Sequence, residues 1–97
     1  MMTYPESKLY IDGAWRATGE GLPIMDPATE AVIGQVPVAS AADLDDALAA
    51  SAAGFEVWRR TPPRDRAALI RSAATLLRSR QDEIAYAITL ENGKPFA

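Results

Sequence analysis

The sequence predicts an α/β protein in which short β-hairpins are followed by two or three amphipathic helices. Residues 9–38 alternate between turn residues and short runs of β-branched or aromatic residues, a pattern typical of strands. From residue 40 to residue 92, apolar residues recur at three- and four-residue steps, which is typical of helices with one covered face. We therefore expect one segment over residues 1–97, with strands and turns in 9–38 and helices in 40–92.

The strand region begins with a tight hairpin. Asp12 and Gly13 lie between two short apolar runs, and this dipeptide adopts the positive φ angles that a two-residue hairpin turn requires. Residues 1–8 before the hairpin are polar and are expected to be loose. After it, extended runs and a turn are expected in the order 22–25, 26–29 and 31–38.

The clearest helix prediction covers Ser40–Trp58. Ser40 and Asp43 have the spacing of a capping box, in which each side chain accepts a hydrogen bond from the other residue's backbone N–H. Six residues then share one face of the helix: Leu44, Ala47, Leu48, Ser51, Phe55 and Trp58. An apolar stripe of this width must be covered by another part of the protein.

The number of helices after Trp58 depends on one junction. A second helix is expected from Pro62 to Arg78, because proline suits the first turn. Ser79 and Asp82 form a second candidate capping box, which predicts a third helix, although one unbroken helix through Arg80 is the alternative. The helical region is expected to end at Asn92–Gly93.

Composition narrows the possible functions. The 97 residues are 48% hydrophobic and carry a net charge of −3, as expected for one small domain with an ordinary surface. Cysteine and histidine are both absent, which excludes a thiol nucleophile, disulfides and an imidazole base within this sequence. No apolar run is long enough to span a membrane and no signal-peptide core is visible at the start, so a cytoplasmic protein is expected.

Two binding functions are disfavoured by the context of the motifs that would carry them. Gly19 and Gly21 lack the third glycine and the following helix of a dinucleotide fingerprint. Three arginines line the polar face of the second helix, without interleaved aromatic residues, so we expect a solvated face and no nucleic-acid binding: Arg64, Arg71 and Arg78.

Six further side chains fall on apolar faces. Arg66 and Arg80 project into the apolar stripe of their helix, either as rim residues with packed stems or as partners in an ion pair. The rim position is favoured for Arg80, and both readings are open for Arg66. The aromatic residues are expected in the core and not on a ligand-binding surface: Tyr10, Trp15, Phe55 and Trp58.

Six segments, in this order and spacing, carry a resemblance to a known family: Leu9–Trp15, Met25–Thr29, Val32–Val36, Gly54–Trp58, Pro63–Arg66 and Leu90–Pro95. Together they resemble the N-terminal part of the NAD(P)-dependent aldehyde dehydrogenases. The first and fourth of these segments most resemble the succinate-semialdehyde dehydrogenase branch.

The resemblance implies that the catalytic residues lie beyond this sequence. In the family, a cysteine thiolate attacks the aldehyde, hydride passes to the nicotinamide of NAD or NADP, and an activated water hydrolyses the thioester. No residue of this chain can be given one of those catalytic or cofactor-binding roles. The resemblance thus implies a non-catalytic fragment of a cofactor-binding domain, whose full-length form binds NAD or NADP.

The resemblance also implies a structural monovalent cation. Family members hold it through backbone carbonyls before an Asn-Pro turn and through an acidic residue before an Asn-Gly-Lys motif. Those positions correspond to Ile24, Met25 and Glu91. This sequence departs from the family pattern with Asp26 in place of Asn and Glu30 in place of Gly, which leaves the shape of that turn open.

We therefore expect the scaffold segment of an aldehyde dehydrogenase, with succinate semialdehyde as the candidate substrate of the full-length form. The alternative is a free-standing helical protein-interaction module. The expected partners are the rest of the dehydrogenase chain and a second copy of this chain, because bare strand edges and apolar stripes recruit other surfaces.

Overall fold

The structure is a computed structural model that describes residues 3–96. Residues 1 and 2, which belong to the stretch expected to be loose, lie outside the described residues. Ala97, the last residue of the expected 1–97 segment, also lies outside them. The described elements are, in chain order, β1 (Leu9–Ile11), β2 (Ala14–Arg16), β3 (Gly21–Met25), β4 (Val32–Pro37), α1 (Ala41–Arg60), α2 (Pro63–Ser79) and α3 (Gln81–Asn92). Short hairpins followed by helices is the predicted order, and it is confirmed.

The first hairpin pairs β1 with β2 in antiparallel register, with Tyr10 opposite Trp15. The turn residues Asp12 and Gly13 have φ angles of 52° and 75°, so the predicted two-residue turn is confirmed. The rings of Tyr10 and Trp15 lie on the same face, with centroids 4.8 Å apart. This aromatic pair stabilises the small hairpin from one side.

The second hairpin pairs β3 with β4 and contains an irregularity between Ile24 and Met25. In the turn that joins the strands, the Asp26 carboxylate accepts a hydrogen bond from the Ala28 N–H at 2.8 Å. The Glu30 N–H donates to the Asp26 carbonyl at 2.8 Å, and Glu30 has a φ of 60°. Glu30 thus adopts the left-handed conformation that glycine favours, at the position where the family pattern has glycine.

Helix α1 begins with the predicted capping box. Asp43 N–H donates to Ser40 Oγ at 3.1 Å, and Ser40 N–H donates to Asp43 Oδ2 at 2.9 Å. These bonds satisfy two N–H groups at a helix end that would otherwise lack partners. The helix continues to Arg60, past the predicted end at Trp58, and Thr61 then takes an extended conformation.

The junction between α2 and α3 differs from the prediction. Ser79 belongs to α2, and its hydroxyl donates back to the Leu76 carbonyl at 2.7 Å, as serine hydroxyls within helices commonly do. The second capping box at Ser79 and Asp82 is therefore wrong, because Arg80 precedes α3 and no side chain caps that helix. The unbroken-helix alternative is also wrong, since Arg80 leaves the helical conformation with φ −110° and ψ 18°. Helix α3 ends at Asn92 with Gly93 as its C-cap, as predicted.

The predicted aromatic core is not present within residues 3–96. None of the described residues is buried, and exposure is 62% for Tyr10, 70% for Trp15, 61% for Phe55 and 39% for Trp58. Extensive contact between elements is confined to the two hairpins, α1 against β1, and α3 against β3. The periodicity identified the apolar face of each helix, but the two hairpins, with strands of three to six residues, are too small to cover those faces.

The shape of the chain is correspondingly open. The radius of gyration is 16.9 Å, whereas a compact domain of this length has about 12.5 Å. The accessible surface is 7798 Å², and a compact monomer of this mass exposes about 5400 Å². The chain thus exposes roughly 2400 Å² beyond what a self-contained fold of its mass would expose.

Arg66 and Arg80 occupy different environments. Arg66 is half-buried on α2, and none of the ion pairs within residues 3–96 includes it. The rim reading, which was one of two open for Arg66, therefore describes it best. Arg80 is exposed, as expected for the rim position favoured by the sequence.

We expect Arg66→Ala to lower the urea midpoint of the helical signal more than Arg71→Ala. The Arg66 stem is partly covered by protein, whereas Arg71 is exposed on the same helix. An exposed charge contributes less than about 1 kcal/mol to the free energy of unfolding. Circular dichroism during urea titration measures both midpoints, and equal midpoints would contradict a structural role for Arg66.

Candidate functional site

The expected cation ligands lie on two elements that pack together. Ile24 and Met25 are the last residues of β3, at the irregularity of the second hairpin, and Glu91 lies in the last turn of α3. Helix α3 packs against β3. Where the helix ends, a side-chain carbon on Gly93 would lie 3.4 Å from Pro27 Cγ, in ordinary contact distance. The fold therefore brings the strand and the helix that contain the three expected ligands into contact.

Tyr4 links the second hairpin to α3, a role that the sequence analysis did not predict. Its hydroxyl donates a hydrogen bond to Glu91 Oε1 on α3. Its ring lies against the backbone of Gly34, where an added Cβ would come within 2.8 Å of Tyr4 Cδ1 and Cε1. Gly34 is the residue that pairs with Ile24 across the hairpin. The only sequence signal is one aromatic residue within a polar stretch, which says nothing about its partner.

The Glu91 carboxylate raises the pKa of Tyr4 to about 12. The hydrogen bond to Glu91 is the largest cause, followed by partial burial and by the negative charge of Glu91, while Ser7 acts in the opposite direction. A pKa above the ordinary tyrosine value of 10 means that folding favours the protonated hydroxyl. The stabilisation is therefore fully present below about pH 10 and is lost as the pH rises through about 12.

The donor atoms expected from Ile24, Met25 and Glu91 are all oxygens, which is the ligand type suited to a hard cation. Two backbone carbonyls and one carboxylate are oxygen ligands, which hard cations prefer. Within residues 3–96, no group of three His, Cys, Asp or Glu residues could hold a metal ion, so a cation here depends on carbonyl oxygens. These three residues supply part of a coordination shell, and other oxygens or water must complete it.

A second polar cluster fixes the first hairpin to α1. Arg16 Nη1 lies 2.9 Å from Asp43 Oδ1 and 2.9 Å from Asp46 Oδ2, so one guanidinium bridges two carboxylates of the first helical turns. The Ser40 backbone N–H lowers the pKa of Asp43, assisted by Arg16 and by the Ser40 hydroxyl. Both carboxylates raise the pKa of Arg16. Arg16 thus pairs with both carboxylates and joins two elements, which indicates a structural role.

The loop at Gly19 leads into a strand. Gly21 is the first residue of β3, whereas a dinucleotide fingerprint leads from a strand into a helix.

The arginines Arg64, Arg71 and Arg78 are all exposed on α2. Among the described residues, no helix combines the length and the apolar character needed to cross a membrane.

Comparison with known proteins gives one consistent answer. The sequence profile of the "Aldehyde dehydrogenase family" matches residues 15–97. Aminoaldehyde dehydrogenase 2 of Zea mays is 40% identical over 100 residues, which cover 96% of this chain and 20% of that protein. Among solved structures, aldehyde dehydrogenase C of Pseudomonas syringae, in complex with NAD+ and octanal, superposes with a TM-score of 0.88 at 41% identity. That match covers 93% of this chain and 19% of the other.

A third relative supports the same fold at lower identity. The aldehyde dehydrogenase of Bartonella henselae superposes with a TM-score of 0.88 at 28% identity, over 99% of this chain and 20% of that protein. The chain thus spans about a fifth of the length of the relatives that it matches. With the family profile covering most of its length and two hairpins followed by three helices in common with these structures, the chain belongs to the aldehyde dehydrogenase family.

Proposed function

We propose that this chain is the N-terminal scaffold segment of an aldehyde dehydrogenase whose complete form oxidises an aldehyde to the carboxylic acid with NAD or NADP. The observation that carries the proposal is the surplus of exposed surface. A standard interface covers about 800 Å² of each partner, and this chain exposes roughly 2400 Å² more than a compact monomer of its mass. A surplus of that size is characteristic of a part of a larger core.

The exposed residues support the same role. The apolar faces of the helices carry Phe55 at 61%, Leu69 at 59% and Leu76 at 51% exposure. Isolated exposed leucines are ordinary, but faces that remain bare along two helices mark a surface that packs on further protein. Because the chain belongs to the aldehyde dehydrogenase family, we infer that the rest of an aldehyde dehydrogenase chain covers these faces. A free-standing interaction module would need a core of its own.

Catalysis by this segment alone is disfavoured on chemical grounds. The sequence contains neither a cysteine for thiolate attack nor a histidine base. Among the ion pairs within residues 3–96, those of Arg16 join the first hairpin to α1, and the others are local to α1 or to residues 6–8. The segment contributes structure, and the bond-making groups belong to other parts of the enzyme.

The proposal is tested on the gene and on its complete product. We expect the reading frame to continue past Ala97 into a domain that supplies a cysteine nucleophile and a glutamate base. The complete product should then reduce NAD or NADP when given an aldehyde, measured by the absorbance of the reduced nicotinamide. Succinate semialdehyde is the first substrate to test, with octanal and an aminoaldehyde as the comparison. A stop codon directly after Ala97 would overturn the proposal in favour of the interaction module.

The 97-residue chain alone is expected to bind neither NAD nor NADP. No glycine-rich loop leads from a strand into a helix within residues 3–96, and that geometry is what holds a dinucleotide pyrophosphate. Isothermal titration calorimetry with each cofactor measures the binding. Micromolar affinity for either cofactor would contradict this expectation.

We further propose a structural monovalent cation held by the carbonyls of Ile24 and Met25 and by the Glu91 carboxylate. The packing of α3 on β3 and the oxygen-only donor set support this site. When bound, the cation would neutralise Glu91 and fix the end of α3 to the second hairpin. Its binding is tested by the native-chain titration described in the next subsection.

A further inference from the structure

The hydrogen bond from Tyr4 occupies only part of the Glu91 carboxylate. The hydroxyl donates to Oε1, and within residues 3–96 this is the one hydrogen bond that the carboxylate accepts. An ionised carboxylate has about four lone-pair sites on its two oxygens, so Oε2 remains available for a cation. The tyrosine and a cation can therefore use the same side chain together.

The ring of Tyr4 determines where that hydroxyl lies. It packs so close to Gly34 that a methyl group there would come within 2.8 Å of two ring carbons. Gly34 faces Ile24, whose carbonyl is one of the proposed ligands. Tyr4 thus spans the distance from the hairpin that provides the carbonyls to the helix that provides the carboxylate.

We propose that Tyr4 is a positioning residue for the cation site, because its hydroxyl binds Glu91 Oε1, restricts the Glu91 side chain, and leaves Oε2 free to share a cation with the carbonyls of the second hairpin. This inference rests on the proposed cation site. Glutamate has several rotatable bonds, and fixing them beforehand removes an entropic cost from cation binding. Outer partners that orient a metal ligand typically change affinity 10–100-fold when removed.

The test compares cation affinity in matched variants of the 97-residue chain. Potassium chloride replaces choline chloride at constant ionic strength, and the amide NMR shifts of Glu91 and Gly93 report binding. Tyr4→Phe keeps the ring and removes the hydroxyl, and it should weaken potassium binding about tenfold. Tyr10→Phe is the matched control, since that tyrosine lies in the first hairpin, and it should leave the affinity unchanged.

A second pair of variants separates orientation from folding. Gly34→Ala retains the hydroxyl but displaces the ring, so it should weaken potassium binding as Tyr4→Phe does. Gly54→Ala is its control, because an added Cβ there meets nothing within 4 Å. Circular dichroism should show the same helix content in all variants, whereas a merely structural role for Tyr4 would lower helix content and leave the affinity of the folded fraction unchanged.

The possible outcomes distinguish the positioning role of Tyr4 from the proposed cation site on which it rests. If the native chain shows no potassium-dependent shift, the same comparison is made in the complete product, whose further residues can supply the remaining oxygens. Absence of potassium binding there overturns the cation site, and the role of Tyr4 falls with it. If the native chain binds potassium and Tyr4→Phe binds it equally well, only the positioning role is overturned. Tighter binding by Tyr4→Phe would show that the hydroxyl competes with the cation, which also contradicts the inference.

Discussion

The purified 97-residue chain is expected to elute from gel filtration with a mass of at least twice its 10.4 kDa, and the mass should rise with concentration. Phe55, Leu69 and Leu76 are each more than half exposed on the apolar faces of α1 and α2. In water such faces associate, because burial contributes about 25 cal/mol per Å² of apolar surface. Two-stranded sheets with open edges add a second means of association.

Light scattering across a tenfold dilution series measures this association. Phe55→Ser combined with Leu76→Ser should shift the mass toward the monomer, and Arg71→Ser on the polar face of α2 is the matched control. A monomer at every concentration, with no binding of a hydrophobic dye, would show that the chain closes a core of its own. That result would favour the interaction-module reading.

Asp43→Ala is expected to cause the largest loss of helix content of any single alanine substitution in α1. The carboxylate caps the helix by accepting from Ser40 N–H, and it also accepts from Arg16, at 2.9 Å in each case. Removing it therefore breaks the capping box at the start of α1 and one of the two ion pairs through which Arg16 holds the first hairpin, leaving only the pair with Asp46. Ser40→Ala, which removes only the hydroxyl side of the capping box, should lower the free energy of unfolding by about 1 kcal/mol. Circular dichroism at neutral pH measures both variants.

The same carboxylate should make the helix sensitive to acid. The Ser40 backbone N–H, Arg16 and the Ser40 hydroxyl lower the pKa of Asp43 below its ordinary value of 3.8. Folding thus favours the ionised form, so the stabilisation is present above about pH 4 and is lost as the pH falls through the lowered pKa. Asp43→Ala should flatten this acid transition. Asp45→Ala is the matched control, and an acid transition of equal size in both variants would contradict the assignment.

The features that could be predicted from the sequence are local ones. The turn at Asp12 and the capping box at Ser40 depend on residues no more than three positions apart, and both are confirmed. The failed second capping box shows the limit of such patterns. Ser79 has the right spacing to Asp82, but α2 continues through it, and its hydroxyl bonds to the preceding turn.

The features that the sequence could not predict depend on distant residues. Apolar periodicity indicates that the face of α1 must be covered, but it does not identify what covers it, so the expected core position of Phe55 was wrong. Arg16 meets α1 across 27 positions, and Tyr4 meets Glu91 across 87 positions. No local pattern encodes either pair. The cation ligands at Ile24, Met25 and Glu91 came from family resemblance, and they remain a proposal.

The long separation between Tyr4 and Glu91 sets an order of events in folding. The hairpins and helices are held by contacts between residues close together in the sequence, and such elements form in roughly 0.1–10 μs. Closing the 87-residue loop costs about 1 kcal/mol more in chain entropy than closing the 27-residue loop to α1. The segment that precedes β1 and contains Tyr4 is therefore the last part to dock and the first to detach. Its opening and closing would proceed while the helices remain intact, as a local fluctuation of low free energy.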